Sequence, residues 1–187
     1  MRPLPHHDSR GLSGFFTILA AGIASLLFAV VLTLHAPRLP LRERLGTCVA
    51  VAVAGGMVVA FAVEVVVGAL DGSFLAVAGI LALFVGAVVL CVHGLGRVAG
   101  PPGLALGGAI FLLVGTSSTG GGLTYQLQPA FYRAVSQLLP NGAAVTAVRN
   151  EVYFGGGHIA GALAVLGAWT AAGLVLLLVI PRVKEPT

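Results

Sequence analysis

From Gly11 to Leu34 the chain carries no charged side chain, and the run reads GLSGFFTILAAGIASLLFAVVLTL. About 20 consecutive apolar residues suffice to cross a bilayer as a helix. This run is longer than that, and similar runs recur down to Ile180. Water would expose too much of them. Charged types make up 9% of the 187 residues, against about 25% in an ordinary soluble domain. Ten basic and six acidic side chains cannot wet the surface of a globule of this size. Disorder is excluded by the opposite argument, since hydrophobic types reach 58%. The composition leaves an all-α, multi-pass transmembrane bundle.

Proline, glycine and charge punctuate the apolar runs. His35-Ala36-Pro37-Arg38-Leu39-Pro40 breaks the first, because proline removes a backbone donor and clashes with a continuing helix. Arg38, Arg42, Glu43 and Arg44 then form a short charged connection. A second run is interrupted only by Glu64 and ends at Asp71-Gly72-Ser73, where Ser73 is a helix-cap candidate. The third is expected to stop at Gly94-Leu95-Gly96-Arg97, and Gly100-Pro101-Pro102-Gly103 turns the chain into a fourth. The expected spans cover about 12–34, 46–70, 74–95, 102–117 and 159–180 in a single transmembrane domain.

The loop 118–157 differs. It opens with a polar, glycine-rich SSTGGG. Leu127, Phe131, Val135 and Leu138 then recur at helical spacing, which predicts a short amphipathic helix in or near the interface. Pro140-Asn141-Gly142 breaks it, with Asn141 a candidate cap for the next helical turn. A second short helix places Val145, Val148 and Val152 on one side and ends at Gly155-Gly156-Gly157. The expectation is five spans plus a two-piece re-entrant or amphipathic helical loop before the last span.

Nine arginines and one lysine dominate the charge, and in a membrane protein such an excess sets topology. With the C-terminus cytoplasmic, Arg38, Arg42, Arg44, Arg97, Arg182 and Lys184 lie inside, and Arg2, Arg10, Arg133 and Arg149 outside. The short loops agree, so the N-terminus and the loop 118–157 are expected outside. An outer N-terminus implies one more membrane helix upstream, on a partner chain or on a longer polypeptide. No basic stripe suited to nucleic acid is present.

The segment from Leu138 to Trp169, LLPNGAAVTAVRNEVYFGGGHIAGALAVLGAW, resembles the C-terminal end of type-2 ABC exporter permeases, closest to the phage infection protein (YhgE/Pip-like) branch. The resemblance rests on Leu139-Pro140, Arg149 and Tyr153-Phe154-Gly155-Gly156. Asp8-Ser9-Arg10-Gly11 before Phe15-Phe16 is similar to the entry into that branch's second membrane helix. It implies that the five spans correspond to spans two to six of such a permease. It further implies a cytoplasmic ATPase subunit and a second permease chain as partners, in a lipid bilayer. The chain has no GxxxxGK[ST] phosphate loop of its own. Coupling to the ATPase would fall to Arg38, Arg42, Arg44 and Arg97.

Among single residues, Glu64 is the main pathway candidate. A carboxylate in hydrocarbon costs about 2.5–3.5 kcal/mol, so it should face the bundle or a wet cavity. Arg149 is expected to anchor the loop or touch substrate, with Tyr153 beside it. Cys48 and Cys91 read as inert buried thiols, and His93 as an interfacial or satisfied histidine. Gly103 and Gly107, like Gly157 and Gly161, have the spacing that lets helices approach closely. No catalytic, metal or cofactor constellation is expected. The alternative to a permease is a non-transporting assembly or accessory membrane protein.

Overall fold

A computed structural model describes residues 12–36, 39–68, 73–119 and 135–179. All regular structure among these residues is helical. The elements are α1 (Ser13–His35), α2 (Leu41–Ala60) with a π-helical extension (Phe61–Val66), and α3 (Phe74–Gly108) with a π-helical extension (Ala109–Val114). The short α4 (Gly115–Ser118), then α5 (Pro140–Phe154) and α6 (Ala160–Val179) complete the set. Four helical segments are long and apolar enough to cross a membrane: Ser13–His35, Leu41–Val66, Phe74–Ser118 and Ala160–Leu178.

The third of these is folded back on itself. Gly100 adopts φ 63 and ψ −142, values open to glycine and closed to other residues. Pro101 and Pro102 follow it and cannot donate to the preceding turn. Beyond the bend, a Cβ on Gly107 would stand 3.1 Å from Val92 Cγ2, and one on Gly96 would stand 2.6 Å from Leu104 Cδ2. In a straight helix Val92 and Gly107 would be roughly 22 Å apart at 1.5 Å rise per residue. The two arms of α3 are therefore an antiparallel hairpin with a one-residue turn. The first arm extends past Gly94, Gly96 and Arg97, where the sequence suggested an end. Glycine alone does not stop a helix; the Gly100-Pro101 junction does.

The first arm is the axis of the bundle: α1, α2 and α6 pack on it, and α5 also packs on α3. Val77, Leu81, Phe84, Val88, Val89 and Val92 are fully buried along it. Close approach is set by glycines facing backbone. Gly56 of α2 meets Ala82 N, and Gly173 of α6 meets Cys91 N, each leaving no room for a Cβ. Gly103 and Gly107 work as their spacing suggested, whereas Gly161 has open space around it.

These contacts fix the directions. Gly22 meets Phe84 and Thr33 meets His93, so α1 runs parallel to the first arm. Gly56 faces Ala78 and Ala82 while Gly86 faces Ala52, so α2 runs antiparallel to it. Cys91 bonds Trp169 and Arg97 bonds Leu177, so α6 is parallel. One end of the bundle carries the Gly100 turn, the end of α1 and the start of α2. The other carries the Gly155 turn that joins α5 to α6.

Three local expectations need correction. Ser73 holds the N-cap position of α3, but its side chain makes no capping bond. Asn141 is not a cap either: it is the second residue of α5, after Leu139 and Pro140. Arg42 and Arg44 lie in the first turn of α2 rather than in a loop, because Pro40 in extended conformation starts the helix early. Arg38 and nearly all of the expected amphipathic helix around Leu127 and Phe131 lie outside the described residues.

Candidate functional site

Two places concentrate polar groups inside the apolar bundle. The first is the start of α5. Val145, Val148 and Val152 share its buried side, as the spacing predicted. The burial goes further, since Pro140, Asn141, Gly142, Ala143 and Ala144 are buried as well. This helix does not lie on a surface. Trp169 Nε1 donates to Leu138 O at 2.8 Å, and Trp169 stands halfway along α6. Gly22, about 14 Å along α1 from Ser13 at helical rise, is 3.9 Å (from its Cβ position) from Asn141 Nδ2. Its Cβ position also touches the Phe84 ring at 3.5 Å. So α5 begins at mid-height between α1 and the hairpin and ends at the Gly155 end, where Val148 lies against Gly14.

Gly155 terminates α5 in the left-handed conformation, φ 62. Its N–H donates to Glu151 O at 3.2 Å, and that of Gly156 to Asn150 O at 3.0 Å. At the other end, the mid-height end, no side chain caps the helix. Asn141 is only 3% exposed, and its Oδ1 has no hydrogen-bond partner. That oxygen stands 2.5 Å from where a Cβ of Gly115 would be. Thr116, the next residue, also has a buried hydroxyl oxygen without a partner. Ser118 donates to Gly115 O at 2.8 Å. The π-helical turn Ala109–Val114 runs directly into this group, with Gly115 N–H donating to Ile110 O. Buried polar atoms are nearly always paired, so Asn141 Oδ1 and Thr116 Oγ1 mark an exception that needs a cause. Trp169 also packs edge-on against Phe111 at 5.4 Å between ring centroids, which ties α6 to the second arm.

The second place is at the Gly100 end. His93 is 1% exposed. Thr33 Oγ1 donates its one proton to Ala29 O at 2.6 Å, so at 2.7 Å it accepts from His93 Nδ1–H. His93 Nε2 then keeps its lone pair, and it has no partner. Arg44 and Arg97 lie within electrostatic reach of the ring. The Arg44 guanidinium, on a residue 3% exposed, donates to Leu39 O at 2.9 Å. Arg97 donates to Leu177 O at 3.3 Å. Two of the expected coupling residues are thus held by backbone carbonyls inside the bundle. Arg42 is exposed beside them.

The expected pathway residues gather at the Gly155 end. Glu64 sits in the π-helical turn Phe61–Val66, half-buried, about two turns beyond Gly56 and level with the start of α3. Arg149 is half-buried on α5, its Cγ 3.9 Å from the Cβ position of Gly14. Tyr153 is packed against the core. All three stand toward the Gly155 end, not at mid-height. The mid-height polar residues Asn141 and Thr116 were not singled out as site residues. The usable signal was Pro140-Asn141-Gly142 opening a helix whose valines share one face. Cys48 and Cys91 are free and buried, as expected.

No protein-family model, characterised protein or solved structure matches the chain.

Proposed function

We propose that the chain is the transmembrane permease subunit of an ABC-type exporter in the plasma membrane, moving a lipophilic substrate with energy from a separate cytoplasmic ATPase. In this reading both arms of the α3 hairpin span the bilayer, giving five spans, and α5 is a re-entrant half-helix. The observation that carries it is the start of α5: a helix that begins at mid-height, buried between other helices, with the polar side chain of Asn141 turned inward. Binding sites near the bilayer midplane built on the ends of broken helices are a recurrent feature of transporters. A structural helix hairpin has no need of one.

The ends of the bundle fit the same reading. Arg42, Arg44 and Arg97 share the Gly100 end, and this excess of basic residues supports a cytoplasmic position for it. There they would receive the movement of the ATPase. Glu64, Arg149 and Tyr153 would line the outer mouth. The resemblance of the 138–169 segment to the phage infection protein branch points to the same role, with a second permease chain completing the pathway.

The test is purification of the tagged chain in mild detergent with identification of what accompanies it. An ATPase subunit is expected, with ATP hydrolysis that falls when Arg42→Glu and Arg97→Glu are combined. Single cysteines at Ser73 and Arg97 should react with impermeant reagents from opposite sides of the membrane. Recovery of the chain without any ATPase, or labelling of both positions from one side, overturns the proposal.

A further inference from the structure

The start of α5 has three features in one place. A 15-residue helix begins at mid-height without a side-chain cap. Asn141, 3% exposed, turns an acceptor oxygen with no partner toward Gly115. Thr116, adjacent to Gly115, brings a buried hydroxyl that also lacks one. Short π-helical turns such as Ala109–Val114 are found disproportionately at functional sites.

The chemistry of these groups narrows what they can hold. Asn141 Oδ1 only accepts, so the ligand must donate to it. Thr116 can donate, and the start of a helix carries partial positive charge, so the ligand must also offer an oxygen lone pair. A hydroxyl or an undissociated carboxyl does both with one group. A full charge is disfavoured, because the charged side chains of α5, Arg149 and Glu151, lie more than two turns further on. Around Asn141 stand the bare backbone of Gly22 and Gly115 and the Phe84 ring, with buried Ser136 against Gly142 as the one further polar side chain placed there.

We infer that the mid-height end of α5 is a binding site for the head of an uncharged amphiphile bearing an O–H group, which donates to Asn141 Oδ1 and accepts from Thr116 Oγ1. Asn141 Oδ1 has no solvent access in this structure, so this is the closed form of the site. Asn141 faces α1 at Gly22 and the end of the second arm at Gly115, two positions that carry no side chain. The inference rests on the permease reading only for its place in export; binding itself requires no ATPase.

Trp169 is the only tryptophan in the chain and bonds the carbonyl two residues before α5, so its emission reports on the site. The chain, reconstituted in phosphatidylcholine nanodiscs, is titrated with 1-dodecanol, dodecanoic acid, dodecyl methyl ether and dodecane. A saturable change in Trp169 emission is expected with the alcohol. The acid should match it only at a pH that keeps its carboxyl protonated. The ether, which cannot donate, and the alkane should give no saturable change. Thr116→Val should weaken alcohol binding about tenfold, and Thr116→Ser should restore it. Asn141→Leu should abolish binding; if that variant does not fold, the Thr116 pair decides alone. Equal responses to alcohol and ether, or Thr116→Val indistinguishable from the parent, overturn the site and leave the two oxygens to a bound water. An ATPase that co-purifies with a chain that fails this titration spares the permease reading; alcohol binding without an ATPase does the reverse.

Discussion

The first arm of α3 and the helix α2 are built from nearly the same residues, valine, alanine, leucine and glycine, yet they occupy opposite situations. Along its most apolar stretch the segment containing the arm is 72% buried, while that of α2 is 11% buried. Phe84 on the arm is fully enclosed; Phe61, at the end of α2, is more than half exposed. In water such a difference would be written in hydrophobicity. In lipid the outside is as apolar as the inside, so burial follows shape and small residues instead. Gly56 places α2 against Ala78 and Ala82. The outer side of α2, with Val53, Met57 and Val58, is exposed and packs on nothing among the described residues.

Substitutions should separate the two helices by size of effect, read as unfolding free energy in a bilayer or mixed micelle. Phe84→Ala should be the most damaging, at about 3 kcal/mol, the low end for an aromatic truncation because no transfer from water is involved. Gly56→Val should cost about 1–3 kcal/mol by forcing α2 off the arm. Trp169→Phe should cost about 1 kcal/mol, since it removes the donor to Leu138 O and keeps the ring against Phe111. Phe61→Ala and Val53→Ala should fall within about 0.5 kcal/mol of the parent, as surface changes do. A loss at Phe61 or Val53 comparable with that at Phe84 would reveal that the outer side of α2 is covered in the native state, as a second permease chain would cover it.

The same reasoning explains what the sequence disclosed. The helical class and the apolar segments were legible because bilayer thickness sets a length that Gly11 to Leu34 plainly meets. Gly100-Pro101-Pro102 was legible as a turn, since no other residues combine a positive φ with missing donors. The face of α5 was legible from Val145, Val148 and Val152. Its depth was not, because a valine stripe looks the same against lipid, headgroups or protein. With re-entrant and amphipathic placements both open, Asn141 reads as a cap if α5 lies at the surface and as an inward polar group if it does not. Position alone makes Arg44 part of a charged connection and His93 an interfacial or satisfied histidine. The bond that holds buried His93 comes from Thr33, 60 residues away, a proximity no local pattern encodes.

The single-residue turn at Gly100 also bears on how the protein is made. With no linker between them, the two arms of α3 cannot part far, and in the permease reading they would enter the lipid as a pair, already touching through Gly96, Leu104 and Gly107. The first two helices precede this hairpin in the chain, so it would fold against partners already made, and only α5 and α6 would dock afterwards.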